Sequence, residues 1–279
     1  MSALSEHLVA EVVARALAED LGDAGDVTTA ATVDTDSLAL AELVARQDGV
    51  VAGLFVAAQV FQAVGQGRVV IEYGSADGAR VTPGEVLATV RGPMRDILTA
   101  ERTALNLLGH LSGVATLTRR WVDAVDGTGA RIRDTRKTMP GLRALEKYAV
   151  RMGGGLNHRM SLSDAALVKD NHVVAAGGVV AAFDRVREMF PGLPLEVEVD
   201  TIEQAREVID AGADLVLLDN MSQDDMRAVA AFAAGRAMLE ASGGLTLDTA
   251  RAVAETGVDY LAVGALTHSA PVLDIGLDI

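Results

Sequence analysis

Cysteine is absent from this chain of 279 residues, and aromatic residues make up only 3% of it. The lack of cysteine excludes disulfides, thiolate nucleophiles and cysteine-bound zinc, and it favours a reducing compartment, so we expect a cytoplasmic protein. The low aromatic content disfavours an aromatic-rich recognition surface. Half of the residues are apolar, which predicts a globular protein whose helices pack closely on a sheet.

Apolar segments that could cross a membrane are also missing from the sequence. Apolar residues at helical spacing between Leu4 and Leu17 predict an amphipathic helix, and the first residues lack the basic leader of a signal peptide. The longest uncharged run, residues 49–67, carries glutamines at i, i+3 and i+7 from Gln59. This polar face predicts a soluble helix, so we expect no membrane partner.

Positive charge is scarce overall but concentrated in one segment. The chain has a formal net charge of -15, yet residues 131–172 hold nine lysines or arginines against four acidic residues. An acidic protein is repelled by nucleic acid, so we expect no nucleic-acid partner. The alternative, a nucleic-acid patch over residues 131–159, predicts binding that weakens steeply with salt.

From about residue 130, short apolar segments alternate with amphipathic helical patterns. The six predicted strands are residues 130–135, 165–170, 195–200, 214–219, 237–242 and 260–265. The predicted helices are residues 140–152, 179–190, 201–211, 222–234 and 246–256. This alternation predicts a parallel sheet, and the lack of a G-x-G-x-x-G turn favours a barrel over an open doubly wound sheet. Six strands are fewer than eight, so we expect an incomplete α/β barrel.

The first 110 residues have a different pattern, typical of a small α+β domain. Turns are predicted at DGAR (77–80) and TPGE (82–85), between strand-like runs. A long helix over residues 94–125 is expected to lead into the barrel, with four core positions and two glycines that permit close helix contact. The core positions are Ile97, Leu105, Leu108 and Leu111, and the glycines are Gly109 and Gly113. We predict an N-terminal domain over residues 1–112 and a barrel over 113–279, and leave open whether the last residues pack back on the first domain.

In barrel enzymes the reacting groups lie at the C-terminal ends of the strands and in the loops that follow. Several polar residues and glycines stand at these ends, where an apolar core would not select them. They are Arg136, Lys137, Lys169, Glu198, Asp219, Ser242, Gly243, Gly244 and Gly264.

Two of the strand ends carry carboxylates. In LEVEVD the acidic side chains share one strand face, which points either into the barrel or to the solvent, and the pattern alone does not decide between them. Asp219 closes the apolar run DLVLLD, so it needs a partner or a metal. Without cysteine or a close histidine pair, a hard oxygen-binding ion such as Mg²⁺ is the expected metal.

The turn Ser242-Gly243-Gly244 leads into a helix that we predict to begin at Leu245. An ordinary tight turn is the commoner explanation of such a sequence. Its place among the final strands of a barrel favours a phosphate site, built from backbone N-H groups and a helix N-terminus. The loop at Gly264 could add to that site.

The basic segment itself divides into two groups. Arg143, Lys147 and Arg151 lie at i, i+4 and i+8 on a helix predicted to begin at Pro140, so we expect a solvated stripe or a subunit contact. Arg136, Lys137, His158 and Arg159 instead flank that helix, in a strand end and a glycine-rich loop. Such groups can converge on a ligand, and together they would select a small polyanion.

In these motifs the sequence closely resembles the quinolinate phosphoribosyltransferase family. The resemblance rests on DTRKTMPGLRALEKYAVRMGGGLNHR, LVKDNH, EVEVD, LLDNMS and EASGG in that order, and extends over essentially the whole chain. It implies an N-terminal α+β sandwich domain followed by an open barrel of seven strands. It also implies a reaction of quinolinate with 5-phosphoribosyl 1-diphosphate and Mg²⁺ that gives nicotinate mononucleotide, diphosphate and CO₂.

The resemblance further implies roles for individual residues. Those expected around the two quinolinate carboxylates are Arg136, His158, Arg159 and Lys169, and Thr135 is expected among the substrate-binding residues. Arg102 resembles an arginine that the family contributes from the neighbouring subunit, so we expect a homo-oligomer with a dimer as its smallest active unit. Lys137 would face the diphosphate, Glu198 and Asp219 the ribose and the metal, and the Ser242–Gly244 turn with Gly264 the 5-phosphate. The expected catalytic residues are Lys137, Lys169, Glu198 and Asp219.

Two residues depart from the family pattern, and two alternative functions remain. Met139 and Met152 stand where the family more often has a smaller polar residue, and we expect them to alter packing more than chemistry. Lys169 could instead be the Schiff-base nucleophile of an aldolase-like barrel, although its neighbour Asp170 and the many anion-binding groups argue against this. A relative of the same fold that acts on a different pyridine acid is the other alternative.

Overall fold

The computed structural model describes residues 4–279, and these form two compact units. The first combines the chain up to Arg119 with Thr138–Gly154 and Leu266–Ile279, and the second combines Arg120–Lys137 with Gly155–Ala265. The domain boundary that we place after residue 112 stays a prediction. Residues 1–3 of the predicted first domain lie outside the described residues.

Residues 4–279 contain twelve strands and eleven helices. The strands are β1 Leu38–Ala45, β2 Gly49–Val50, β3 Val70–Tyr73, β4 Arg80–Val81, β5 Val86–Pro93, β6 Arg131–Arg133, β7 Ala166–Val168, β8 Leu195–Val199, β9 Leu215–Asp219, β10 Met238–Ser242, β11 Tyr260–Ala262 and β12 Ile275–Asp278. The helices are α1 Glu6–Leu21, α2 Val27–Thr32, α3 Leu54–Gly65, α4 Met94–Ala124, α5 Arg143–Met152, α6 Asp170–Ala176, α7 Val179–Met189, α8 Ile202–Asp210, α9 Gln223–Ala233, α10 Leu247–Ala254 and α11 Ala265–His268.

The first unit is built on an antiparallel sheet of order β12-β1-β5-β3, with β2 and β4 as a separate pair. The predicted amphipathic first helix is present as α1, which buries Val9, Val13 and Leu17. The uncharged run forms α3 from Leu54 onward, because its first residues belong to β2. Among the described residues, none of the helices has both the length and the hydrophobicity that a bilayer span requires.

Helix α4 has the four predicted core positions buried, from Ile97 to Leu111. Its two glycines permit a close contact, as expected, but the partner is an extended segment and not another helix. A Cβ atom at Gly113 would lie 2.1 Å from the carbonyl oxygen of Pro271, and one at Gly109 would lie 3.0 Å from that of Leu273. The backbone N-H of Leu273 donates to the carbonyl of Gly109. The glycines therefore admit the extended segment that leads into β12, which pairs with β1.

Helix α5 differs from its prediction in two ways. It begins at Arg143 rather than at Pro140, because Gly141 takes a left-handed conformation with φ of 83°. The expected solvated stripe is also wrong, since Lys147 is fully buried and Arg143 and Arg151 are only partly exposed. All three basic side chains have interaction partners within the structure. Periodicity placed them on one face correctly, but that face is packed rather than solvated.

The second unit contains the six predicted strands in one parallel sheet of order β6-β11-β10-β9-β8-β7. Leu156 adds an isolated parallel bridge to Arg133 of β6. This bridge marks the place of a short seventh strand, between β6 and β7 in the chain. Within the described residues the sheet does not close, so the α/β barrel is open as predicted. Helix α6, directly after β7, was missed because its seven residues are too few for a clear helical period.

The close passage at Gly113 gives a test of the packing in the first unit. Gly113→Ala is expected to lower the free energy of unfolding by about 1–3 kcal/mol, because the new methyl group overlaps the carbonyl of Pro271. In an unobstructed helix the same change would raise stability by about 1 kcal/mol. Denaturant unfolding measures the difference.

The matched control is Ala14→Gly on the exposed face of α1. It reports helix propensity alone, and we expect it to cost about 1 kcal/mol. A Gly113→Ala protein that is more stable than the parent would contradict the close approach of the segment at Pro271.

Candidate active site

The predicted site residues of the second unit lie at the carboxyl ends of its parallel strands. Register pairs Val168 with Val197, and Ser242 with Asp219, so Lys169 stands beside Glu198 and the glycine turn stands beside Asp219. The carboxyl ends of parallel strands meet at one edge of a sheet. The fold therefore brings these residues to one edge, although they are far apart in the chain.

The carboxylates of β8 point into the barrel, which resolves the alternative that the sequence left open. Glu196 is buried, and the side chain of Glu198 is 14% exposed and forms an ion pair with the ammonium group of Lys169. The Schiff-base alternative needs a neutral amine at Lys169. The amine of Lys169 instead pairs with a carboxylate, and this geometry disfavours that alternative.

Arg136 and Arg159 form a local concentration of positive charge. Burial lowers the pKa of Arg159, and the charge of Arg136 lowers it further, while Asp164 and Glu196 act in the opposite direction. One guanidinium nitrogen of Arg159 donates to the carbonyl of Ala165 at 3.0 Å. Two neighbouring cations that destabilise each other are stabilised by an anion placed between them, so this pair is suited to a carboxylate.

His158 is buried, and its ring lies against the barrel interior. Its Nε2 is 2.7 Å from an oxygen of Glu196, and its Nδ1 accepts the backbone N-H of Arg159 at 2.7 Å. Its own backbone N-H donates to Asp134, which is fully buried. The direct contact between His158 and a substrate carboxylate stays a prediction, since the structure shows the ring engaged with neighbouring protein groups.

Three interior residues next to His158 were not identified as site residues from the sequence. Arg133 donates a hydrogen bond to Glu240, and Glu196 contacts His158. Burial, and then the charge of Glu196, raise the pKa of Glu240 to about 8. The available signal was a charged residue in the middle of the apolar strand AMLEAS, which a buried strand admits only when the charge is paired or neutralised.

His158, Glu196 and Glu240 also form the one cluster in the described part of the chain whose ligand atoms lie close enough for a metal ion, all within 4.8 Å. The separation of 2.7 Å between His158 and Glu196 is that of a hydrogen bond. Arg133 adds a positive charge next to the cluster. Both features favour a hydrogen-bonded network over a cation site.

The glycine turn after β10 is closely packed against the turn after β9. Gly243 has φ of 89°, and a Cβ atom there would lie 2.2 Å from the side-chain oxygen of Asn220. The helix that follows begins at Leu247, not at Leu245, because Thr246 is the N-cap and its hydroxyl accepts the N-H of Thr249. Gly264 lies between β11 and α11. The turn is thus shaped by its neighbour and does not lead directly into the helix.

Asp219 and Glu198 are the predicted metal ligands, and their surroundings fit a hard cation. They come from neighbouring strands, and one oxygen of Asp219 accepts from the side chain of Asn220 at 2.8 Å. One oxygen of Glu198 is engaged by Lys169, which leaves its second oxygen for a ligand. One or two carboxylates completed by substrate phosphates is the usual protein environment of Mg²⁺.

The other predicted residues are placed as follows. Lys137 is exposed, and its backbone N-H donates to the hydroxyl of Thr135 at 3.0 Å. Arg102 belongs to the first unit, where it is exposed on α4 beside a cavity of about 370 Å³. A larger cavity of about 1060 Å³ lies along β7 and α7, and of the predicted residues it contacts Arg159 alone. Its walls are mostly apolar, so we do not identify it as the polyanion site.

An open α/β barrel whose strand ends carry cations, carboxylates and a glycine turn defines a class: barrel proteins that bind phosphorylated, acidic small molecules. Family models for the C-terminal and N-terminal domains of quinolinate phosphoribosyl transferase match residues 114–278 and 26–112. The chain therefore belongs to the quinolinate phosphoribosyltransferase family.

Individual relatives agree with this assignment. The chain is 52% identical to a carboxylating nicotinate-nucleotide pyrophosphorylase of Mycobacterium leprae, with 96% of each chain covered. It is 42% identical to a probable carboxylating nicotinate-nucleotide pyrophosphorylase of Bacillus subtilis, covering 94% of this chain and 90% of that protein. The crystal structure of NadC from Streptococcus pyogenes superposes with a TM-score of 0.95 at 39% identity, covering 100% of this chain and 98% of that one.

The raised pKa of Glu240 gives a prediction for stability. The folded chain binds this proton more tightly than the unfolded chain, in which the pKa is near its ordinary value of 4.5. The resulting contribution to stability is complete below that value and is lost as the pH rises through about 8. Glu240→Gln removes the titrating carboxyl group. Between pH 4.5 and about 8, the free energy of unfolding of this variant should therefore fall less than that of the parent protein. Denaturant unfolding at a series of pH values measures it.

Glu207→Gln, on the exposed side of α8, is the matched control. Its stability should follow the pH dependence of the parent protein. Parallel curves for the parent and Glu240→Gln would show that Glu240 ionises normally in the folded protein.

Proposed function

We propose that this chain transfers the phosphoribosyl group of 5-phosphoribosyl 1-diphosphate to quinolinate with decarboxylation, giving nicotinate mononucleotide, diphosphate and CO₂ for de novo NAD biosynthesis. The observation that carries the proposal is that Arg136, Arg159 and Lys169 all follow carboxyl ends of the parallel sheet, in a protein with net charge -15. Membership of the family, and the names of its close relatives, support the choice of substrates.

Recognition of quinolinate is assigned to the cations around Arg159. The substrate carries two carboxylates on adjacent ring carbons, so it needs donors on two sides. Arg136, Arg159 and Lys169 supply them, and Thr135 and His158 complete the set. Each charged hydrogen bond to the substrate contributes about 1.5–3 kcal/mol.

The phosphoribosyl donor is assigned to the loops that follow β6, β10 and β11 at the same edge. The 5-phosphate would be held by backbone N-H groups of the Ser242–Gly244 turn and by Gly264, where glycine permits close approach of the backbone. Lys137, which is exposed at the end of β6, would face the diphosphate and stabilise the charge that develops as it leaves.

Glu198 and Asp219 would hold Mg²⁺ and the ribose hydroxyls. When bound, Mg²⁺ supplies charge neutralisation for the diphosphate. Departure of diphosphate leaves positive charge on the ribose C1, which these two carboxylates stabilise. Lys169 holds Glu198 in place through their ion pair, and its amine would also face the substrate carboxylate.

Decarboxylation follows from the first step. The pyridine nitrogen donates its lone pair to C1 of the ribose as the bond to diphosphate breaks, and the ring becomes cationic. The adjacent carboxylate then leaves as CO₂, and the electron pair of its C-C bond remains on the ring carbon, stabilised by the cationic nitrogen. A proton completes nicotinate mononucleotide, so no organic cofactor is required.

A homodimer and a cytoplasmic location belong to the same proposal. Large apolar side chains are exposed beside the cavity along β7, including Leu162, Met189 and Phe190. Exposed apolar patches of this kind are typical of protein contacts. Arg102 is exposed, as a residue that enters a neighbouring subunit's site must be. The absence of cysteine fits a reducing compartment.

The decisive test is a parallel assay with quinolinate and with nicotinate, each with 5-phosphoribosyl 1-diphosphate and with or without Mg²⁺. We expect turnover and CO₂ release with quinolinate and Mg²⁺, because the paired cations require two carboxylates. Little turnover is expected with nicotinate or in the presence of EDTA. Equal use of nicotinate would refute the specificity and favour a relative of the same fold that acts on a different pyridine acid.

Mixing inactive variants tests the shared site. Arg102→Ala and Lys169→Ala should each be nearly inactive, since each removes one substrate cation from every site. If Arg102 serves the partner's site, a mixed dimer has one site with both defects and one with neither. Refolding the two variants together should then give each mixed dimer up to about half of the activity of the parent dimer. Measured activity no higher than the sum of the separate variants would place Arg102 outside the partner's site.

A further inference from the structure

A second layer of ionisable side chains lies inside the barrel, two residues earlier along the strands than the predicted site residues. Glu196 precedes Glu198 by two residues on β8, and Glu240 precedes Ser242 by two on β10. Arg133 comes from the last position of β6. Glu240 is 0% exposed and Glu196 is 4% exposed, so neither is expected to contact a bound substrate.

This layer determines the state of the His158 ring. The Nδ1 atom accepts the backbone N-H of Arg159, so it carries no proton of its own. The proton of a neutral ring is therefore on Nε2, which donates to Glu196 at 2.7 Å. Since the same ring holds Glu196 on one side and Arg159 on the other, the tautomer and the backbone position of Arg159 are linked.

Glu240 completes the layer. Its Oε2 pairs with Arg133, and its Oε1 lies 3.5 Å from Nε2 of His158. Among the described residues, Oε1 of Glu240 and Oε1 of Glu196 are buried without a hydrogen bond. Two buried carboxylates this close cannot both ionise cheaply, whereas one neutral carboxyl group can donate to the other. The groups that face Glu240 are Arg133 of β6, Asp134 directly after β6, Glu196 of β8, and His158, while Tyr260 of β11 stacks on Arg133.

We propose that Glu196 is a positioning residue for quinolinate. Glu196 holds His158 as the Nε2-H tautomer, so that Nδ1 of the same ring fixes Arg159. The neutral carboxyl group of Glu240 supports Glu196. This inference rests on the proposed function and adds to it two residues that do not touch the substrate. Asp134 fixes the other side of the same loop, because its carboxylate accepts the backbone N-H of His158 at 2.8 Å.

The first experiment needs no variant that might fail to fold. Nitrogen NMR of the protein with labelled histidines distinguishes the two ring tautomers, and the His158 signal is assigned by its loss in His158→Gln. In the parent protein, without substrates, we expect the proton of His158 on Nε2. A proton on Nδ1 would overturn the proposal whatever the activity of the protein.

The second experiment separates the two substrates. Glu196→Leu removes the acceptor of His158, so the KM for quinolinate should rise about tenfold or more, the loss of one charged hydrogen bond. The KM for 5-phosphoribosyl 1-diphosphate should change less than about twofold, since that substrate is assigned to the turns at Gly243 and Gly264. Glu240→Gln should keep both KM values and the Nε2-H tautomer, because an amide resembles the neutral carboxyl group. Arg159→Ala serves as a reference for a defect confined to quinolinate.

The outcomes separate the inference from the function on which it rests. A parent protein that does not turn over quinolinate refutes the proposed function, and the tautomer of His158 is still measured. An active parent in which Glu196→Leu raises both KM values equally, or neither, refutes the positioning role. If Glu196→Leu does not fold, Glu240→Gln decides: loss of the Nε2-H tautomer or of quinolinate affinity in this variant refutes the role assigned to neutral Glu240.

Discussion

Repulsion between Arg136 and Arg159 is the constraint on which the rest of the site depends. Burial lowers the pKa of Arg159, and the positive charge of Arg136 lowers it further. Carboxylates close by offset part of the cost, since Asp164 and Glu196 act on Arg159 in the opposite direction. An anion placed between the two guanidinium groups would offset the rest of the cost, so the pair is suited to an acidic ligand.

The interior of the barrel serves this arrangement as well as stability. Parallel strands normally fill a barrel with apolar side chains, but here β8 and β10 each contribute a buried glutamate. Burial of ionisable groups costs free energy unless they are paired. Arg133, His158 and a retained proton on Glu240 provide that pairing, so an energetically unfavourable layer becomes a rigid support for the loop that carries Arg159.

Much of the fold follows from local patterns. All six strands predicted for the barrel are present, because an apolar run and a following helix are short-range features. The seventh strand, implied only by family resemblance, is reduced to the bridge at Leu156, where a glycine-rich segment gives no strand pattern. The start of α10 was placed two residues early, because the capping threonine is recognised by its contact with Thr249 more readily than by its position.

The sequence by itself determined which residues stand at strand ends, and hence that Arg136, Lys169, Glu198 and Asp219 share an edge. Strand order and chain direction suffice for that conclusion. Only the tertiary structure decided which charges are buried: Lys147 looked solvated and is not, and the face of β8 that carries Glu196 was undecided. Burial depends on which distant segments pack against a residue. The passage of Pro271 over Gly113, and the meeting of Glu240 with His158, are contacts between remote parts of the chain that no local period encodes.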